Sequence, residues 1–262
     1  MRSIELSVVK GCPVRCSYCP QERLRNATPS GVGGLMSQSV ARVVMNNARA
    51  DLVVFAGFVE PTAHPQWVDL VNDALDRSRR VKLHTTTFKL TAAHVEGLAA
   101  CRRVDKQVHV TRRTLSNVLE LTPLIRELWP AAEWVAFDRS LEDEEGLAEL
   151  FAGPLQKLWP HSRAANVTTL DATRDGPVGR PVACPKVQNE RMPVVLPDGS
   201  AYACCQDYGL ELPIGNLAEQ DWDELDFDAL SRRMLDPSND LPCHRGCSEA
   251  VERVGGGLPV LD

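Results

Sequence analysis

The chain has 262 residues, 44% of them hydrophobic and 24% charged, enough for one domain and part of a second. Its formal net charge is −6 with no long basic tract, which gives no support for a nucleic-acid partner. No run approaches the roughly 18 apolar residues of a membrane span, so no membrane partner is expected.

Taken in order, short apolar runs alternate with longer helical patterns. Strands are predicted over Ile4 to Val9, Leu52 to Ala56, Val81 to Thr86, Lys106 to Thr111, Glu133 to Phe137 and Ala164 to Leu170. Helices are predicted from about Ser37 to Arg49, with Ser37 as the cap, then Pro65 to Arg77, Thr91 to Cys101, Thr114 to Trp129 and Glu142 to Trp159. This alternation predicts a parallel sheet covered by helices. A cysteine loop, not a glycine fingerprint, follows the first strand, which weighs against a dinucleotide-binding sheet. Polar residues crowd the C-terminal ends of several strands, where barrel sites assemble. The expected fold class is therefore α/β: a partial (β/α)6 TIM-like barrel with a small C-terminal β-hairpin/α unit.

After about Asp171 the composition changes. Pro177, Pro181, Pro185, Pro193 and Pro197 arrive at short intervals, so the expected division is 1–170 and 171–262. Met192 to Leu196, the turn Pro197-Asp198-Gly199, and Ser200 to Cys204 read as a hairpin. Gly215-Asn216 reads as another turn, and Leu217 to Met234 as partly helical. The glycine-rich tail from Gly255 is expected to lie across the barrel.

The chemistry is carried by cysteine. Nine are present, and with no signal-like segment ahead of the first strand, metal binding in a reducing, cytoplasmic setting is expected rather than disulfides. Cys12, Cys16 and Cys19 fall within eight residues, spaced C-x3-C-x2-C. Three thiolates on one loop would hold a four-iron cluster by three corners, leaving one iron open. A three-cysteine zinc site or a disulfide loop is the plainer alternative. Cys184, Cys204, Cys205, Cys243 and Cys247 are dispersed and need a folded scaffold to meet. Four of them would complete a cluster with no open iron, or a zinc site.

The C-x3-C-x2-C loop, with Tyr18 before its last cysteine and a strand ahead of it, resembles the cluster motif of the radical S-adenosylmethionine (SAM) superfamily. That resemblance implies an open (β/α)6 barrel and SAM chelated at the open iron. It also implies hydrogen abstraction by a 5′-deoxyadenosyl radical, with a flavodoxin or ferredoxin-type electron donor. Gly57, Glu60 and Pro61 resemble the superfamily's SAM-amino segment, although Val59 stands where a second glycine is frequent. Thr85 keeps the placement of a third-strand contact, while Thr86 and Thr87 depart from the usual residues. Ser162-Arg163-Ala164-Ala165-Asn166 resembles a segment in which Arg163 would meet the SAM carboxylate and Asn166 would face SAM or substrate. Tyr18 is expected near the adenine.

The order C-x14-G-x4-C from Cys184 through Gly199 to Cys204 resembles the opening of the SPASM domain, here in its shortened twitch form. That resemblance implies a second four-iron cluster on Cys184, Cys204, Cys243 and Cys247, with Cys205 able to replace Cys204. In size and cysteine count the chain resembles the butirosin-pathway dehydrogenase, which oxidises a secondary alcohol of an aminocyclitol to a ketone. The first expectation is thus a dehydrogenase of a small polar substrate. Epimerisation with Cys205 as hydrogen donor, peptide oxidation or cross-linking, and non-enzymatic electron transfer are the alternatives. Arg112, after the fourth strand, is the other candidate catalytic residue. Cys101, His84 and His109 read as core or rim residues.

Overall fold

The computed structural model describes residues 1–78, 80–101, 103–136, 141, 147, 156–157 and 176–253, with backbone alone at 156–157. Six strands run parallel in chain order: β1 (Ser3–Leu6), β2 (Leu52–Phe55), β3 (Arg80–Thr85), β4 (Val104–Val110), β5 (Glu133–Ala136) and β6 (Gln156–Lys157). Helices α1 (Gln21–Ala27), α2 (Gln38–Ala48), α3 (Trp67–Arg77), α4 (Ala92–Ala99) and α5 (Leu115–Leu128) lie between them. This is a partial (β/α) barrel with a small C-terminal unit.

Local chemistry explains the main elements. Ser37 caps α2 by accepting from the Val40 amide, and Thr91 caps α4 by accepting from His94. In α3, Trp67, Leu70, Val71 and Ala74 repeat at helical spacing and are buried. In β3 and β4 the alternation runs differently from a packed barrel. Val81, Leu83, Val104, Val108 and Val110 are buried, while Lys82, His84, Asp105, Gln107 and His109 share the opposite face. Lys82 and Gln107 both donate to Glu133 Oε2, at 3.1 and 2.7 Å, and Gln107 Oε1 lies 2.8 Å from His109 Nε2. A barrel with a polar wall has a reason to keep space within it, since the packed interior of a closed barrel is apolar.

The C-terminal hairpin is continuous with this sheet. Strand β7 (Val182–Ala183) pairs with β11 (Val251–Glu252) in a separate two-stranded sheet. Strand β8 (Val194–Val195) lies parallel to β1, and β9 (Ser200–Tyr202) and β10 (Pro213–Asn216) follow antiparallel, giving nine strands in one sheet. The 197–199 turn is present: Gly199 has φ 91° and Ser200 N donates to Asp198 Oδ1 at 3.0 Å. Helix α6 (Phe227–Met234) closes the unit.

Two expectations are corrected. The helix predicted to reach Trp159 does not, because Gln156–Lys157 pair with Val135–Ala136. Gly153-Pro154 just before them is a helix-breaking pair. Gly215-Asn216 belongs to β10, and the turn begins one residue later, where the Asn216 side chain accepts from Ala218 N at 2.8 Å. The stretch Leu217 to Met234 is helical in part, as expected: a short turn of helix at Trp222–Glu224 precedes the helix Phe227–Met234. The strand Ala164 to Leu170, the 170/171 boundary and the tail from Gly255 lie outside the described residues.

Candidate active site

The loop after β1 and the segment after β2 are built around each other. Gly57 N donates to Glu5 Oε1 at 2.7 Å and Phe58 N to Ser7 Oγ at 2.9 Å. Gly57 has φ 72°, and a Cβ there would sit 2.3 Å from Ser7 Oγ and 3.1 Å from Val194, so only glycine fits. The cysteine loop turns through positive φ at Gly11 and Arg15, and Cys19 N donates to Cys16 O. Gln21 then ties it down. Its Oε1 accepts from Cys12 N at 2.9 Å, while its Nε2 donates to Phe58 O at 2.6 Å and to Cys19 Sγ at 3.4 Å. The Cys19 thiol donates to the Tyr208 hydroxyl at 3.4 Å; as a thiolate it would accept from it. Tyr208 also packs edge-on against Phe58, with centroids 4.9 Å apart.

These residues line a half-open cavity of about 220 Å³. Cys12, Cys16, Cys19 and Tyr18 line it at one side, Gly57 to Glu60 and Thr85 at another. Glu5, His84, Gln107, His109 and Cys205 line it from the barrel and the hairpin. Burial, aided by neighbouring thiols and Glu60, pushes the Cys12 thiol up to about 12.

Glu60 is almost wholly enclosed, and its carboxylate is occupied. Oε1 accepts from Thr62 N, Thr62 Oγ1 and Thr85 Oγ1; Oε2 accepts from Thr86 N and Thr86 Oγ1, at 2.6 and 2.7 Å. Burial holds its pKa above the ordinary value despite these donors. The triple threonine, which read as strand chemistry, is thus largely a cradle for Glu60. It locks the end of β3 to the segment after β2.

The second cysteine set lies behind the hairpin. Cys184, Cys204, Cys243 and Cys247 are 3%, 7%, 5% and 4% exposed. Burial raises the Cys184, Cys243 and Cys247 thiols; Cys247 and Cys184 add to the rise at Cys243, and Cys184 to that at Cys247. The Cys204 thiol is raised by its neighbour Cys205, by burial and by Cys184. Cys205, one residue on, lines the first cavity.

BtrN in complex with AdoMet and 2-DOIA superposes with a TM-score of 0.66 over 95% of this chain and 93% of its own, at 16% identity. The chain shares its fold. SuiB of Streptococcus suis bound to the precursor peptide SuiA gives 0.63 at 11% identity, over 88% of this chain and 65% of SuiB. Native anSMEcpe with bound AdoMet gives 0.51 at 12% identity, over 89% of this chain and 82% of its own. No protein-family model matches the chain, and no curated protein matches it.

The structure gathers Cys12, Cys16, Cys19, Tyr18, Gly57, Glu60, Thr85 and Cys205 around one cavity. Arg112 is exposed at the end of β4, outside the described lining. Arg163 and Asn166 lie outside the described residues. Among the described residues no three His, Cys, Asp or Glu side chains close on a single metal ion. A four-iron cluster asks for a different arrangement, one thiolate per iron corner around a common space. The three loop cysteines share a cavity wall, and Gln21 offers an N–H to one sulfur. Among the four buried cysteines, Cys184 lies near enough to influence Cys204, Cys243 and Cys247. Sequence reasoning missed Glu5, Ser7, Gln21 and Tyr208. Glu5 carried a signal: it is a lone carboxylate inside an otherwise apolar strand.

Proposed function

We propose that the chain is a radical SAM oxidoreductase acting on a small polar substrate, with dehydrogenation of a secondary alcohol of an aminocyclitol or sugar as the favoured reaction. The observation that carries this reading is the shared cavity. It is walled by three cysteines of one loop on one side and by barrel residues and Cys205 on the other. Cys12, Cys16 and Cys19 would hold the first four-iron cluster, and Cys184, Cys204, Cys243 and Cys247 a second. When bound and reduced, the first cluster would supply the electron that cleaves SAM and so generates the hydrogen-abstracting radical. The fold shared with AdoMet-bound BtrN and anSMEcpe supports SAM as the cofactor.

The residues divide the remaining work. Gly57 to Glu60 present backbone to SAM, and the Glu60–threonine cradle keeps that segment in place; Glu60 acts as a positioning residue. Tyr18 would lie along the adenine, and Arg163 and Asn166 would complete the SAM contacts. The polar wall of His84, Gln107 and His109 faces where a substrate would sit. Electrons would come from a flavodoxin or ferredoxin-type donor. No helix among the described residues is long and apolar enough to cross a membrane. The cytoplasm is the proposed setting.

Epimerisation is the second reading, because Cys205 lines the cavity and a thiol there can return a hydrogen atom. One experiment separates the two. Reconstituted, reduced protein is incubated anaerobically with SAM and a panel of aminocyclitols, sugars and nucleosides in deuterated water, and products are weighed by mass spectrometry. Loss of two hydrogens means dehydrogenation; an unchanged formula with one carbon-bound deuterium means inversion. No SAM cleavage with any substrate refutes both.

A further inference from the structure

The cavity contains a buried carboxylate that the reading above does not use. Glu5 is 6% exposed, projects from β1 and lines the cavity. One oxygen is held by Gly57 N, while Oε2 is buried and has no hydrogen-bond partner. Two strands away, His84 lines the same cavity with its Nε2 also buried and unpartnered. Two such atoms on residues that share one cavity wall are unusual, because a buried polar group without a partner is costly.

The charge around them has one sign. The described lining contains two glutamates and four cysteines, and no lysine or arginine. Glu60 is fully satisfied by threonines, so Glu5 is the carboxylate left over. Burial lowers the His84 imidazole to about 3, so it stands neutral and offers Glu5 no countercharge. Lys186 is the described cation that acts on Glu5, but it is not part of the lining and is ion-paired with Glu249 at 3.6 Å. Burial, together with the charge and hydrogen bond of the nearby Cys205, raises the Glu5 carboxyl to about 8. A cationic partner would reverse that cost.

We propose that Glu5 is the anchor for a protonated amine on the substrate, with His84 Nε2 as a second hydrogen-bonding contact for a neighbouring hydroxyl. This inference rests on the cavity being the substrate site of the proposed enzyme, and narrows its substrates to amine-bearing ones. A cation could also come from SAM itself, and the test separates the sources.

Calorimetry on the anaerobically reconstituted full chain, with and without SAM, compares 2-deoxystreptamine with the uncharged scyllo-inositol. The expected result is at least about tenfold tighter binding of the amine to the wild type, with that preference lost in Glu5→Gln. Gln keeps the acceptor for Gly57 N, and the wild-type ratio needs no variant if Glu5→Gln fails to fold. Equal binding of the two probes, no binding of either, or a preference that survives in Glu5→Gln overturns the inference. So does a variant that weakens SAM while keeping its amine preference, which would assign Glu5 to the cofactor. Absence of SAM binding by the wild type would refute the underlying enzyme reading, while the probe ratio measured without SAM still scores Glu5.

Discussion

The two cysteine regions differ in how they are built. Cys12, Cys16 and Cys19 are half-buried, on a loop that relies on Gln21 and Tyr208 for its shape, and they face a cavity. Cys184, Cys204 and the pair Cys243 and Cys247 are buried, drawn from three separate places in the chain, with no lining role in that cavity. A loop of close neighbours with open space beside it suits a group that must meet other molecules. Dispersed residues that meet only after folding suit a group that also staples the fold. Under the proposed function, the first region would carry the chemistry and the second would serve structure or electron storage.

The largest effect should come from breaking the open site. Replacing Cys12, Cys16 and Cys19 together by alanine should reduce iron from about eight to about four per chain and abolish SAM cleavage. Iron analysis and 5′-deoxyadenosine release check this, and persisting cleavage would refute the assignment. Breaking the closed site should act on stability instead. Cys243→Ser should lower the melting temperature of the reconstituted protein by on the order of 10 °C, while Cys16→Ser shifts it much less. Equal shifts would erase the distinction drawn here.

Gly57→Ala probes the joint between the regions. Its positive φ and the 2.3 Å approach to Ser7 predict a loss of about 2 kcal/mol, read by denaturant unfolding, together with weaker SAM binding. The buried Glu5 sharpens the comparison through pH. Its folded pKa lies near 8 against an ordinary 4.5, so the folded chain keeps a proton that the unfolded chain has released. That contribution to stability is complete below about 4.5 and is lost as pH rises toward 8, at up to about 1.4 kcal/mol per unit. Glu5→Gln should flatten this slope in unfolding measured between pH 5 and 7.5. The smallest effect belongs to Tyr208→Phe. Loss of the contact to Cys19 should move the first cluster's reduction potential to more negative values with little change in melting temperature, as read by redox titration.

Much of the architecture was legible in the sequence because it is local. The period of apolar residues placed β1 to β5 and α2 to α5 within a few residues, and the capping roles of Ser37 and Thr91 follow from side chains that bond their own backbone. The C-x3-C-x2-C loop announced itself by spacing alone. Tertiary structure decided the rest, because it depends on groups far apart in the chain. The pairing of β8 with β1 joins residues separated by most of the chain and makes the hairpin part of the barrel sheet. The Glu60–threonine cradle, the Tyr208 contact to Cys19 and the meeting of Glu5 with His84 in one cavity arise the same way. Local sequence sets which residues a segment can offer. Only the folded sheet brings these groups together, and burial then determines which of their polar atoms are satisfied and which are left facing the cavity.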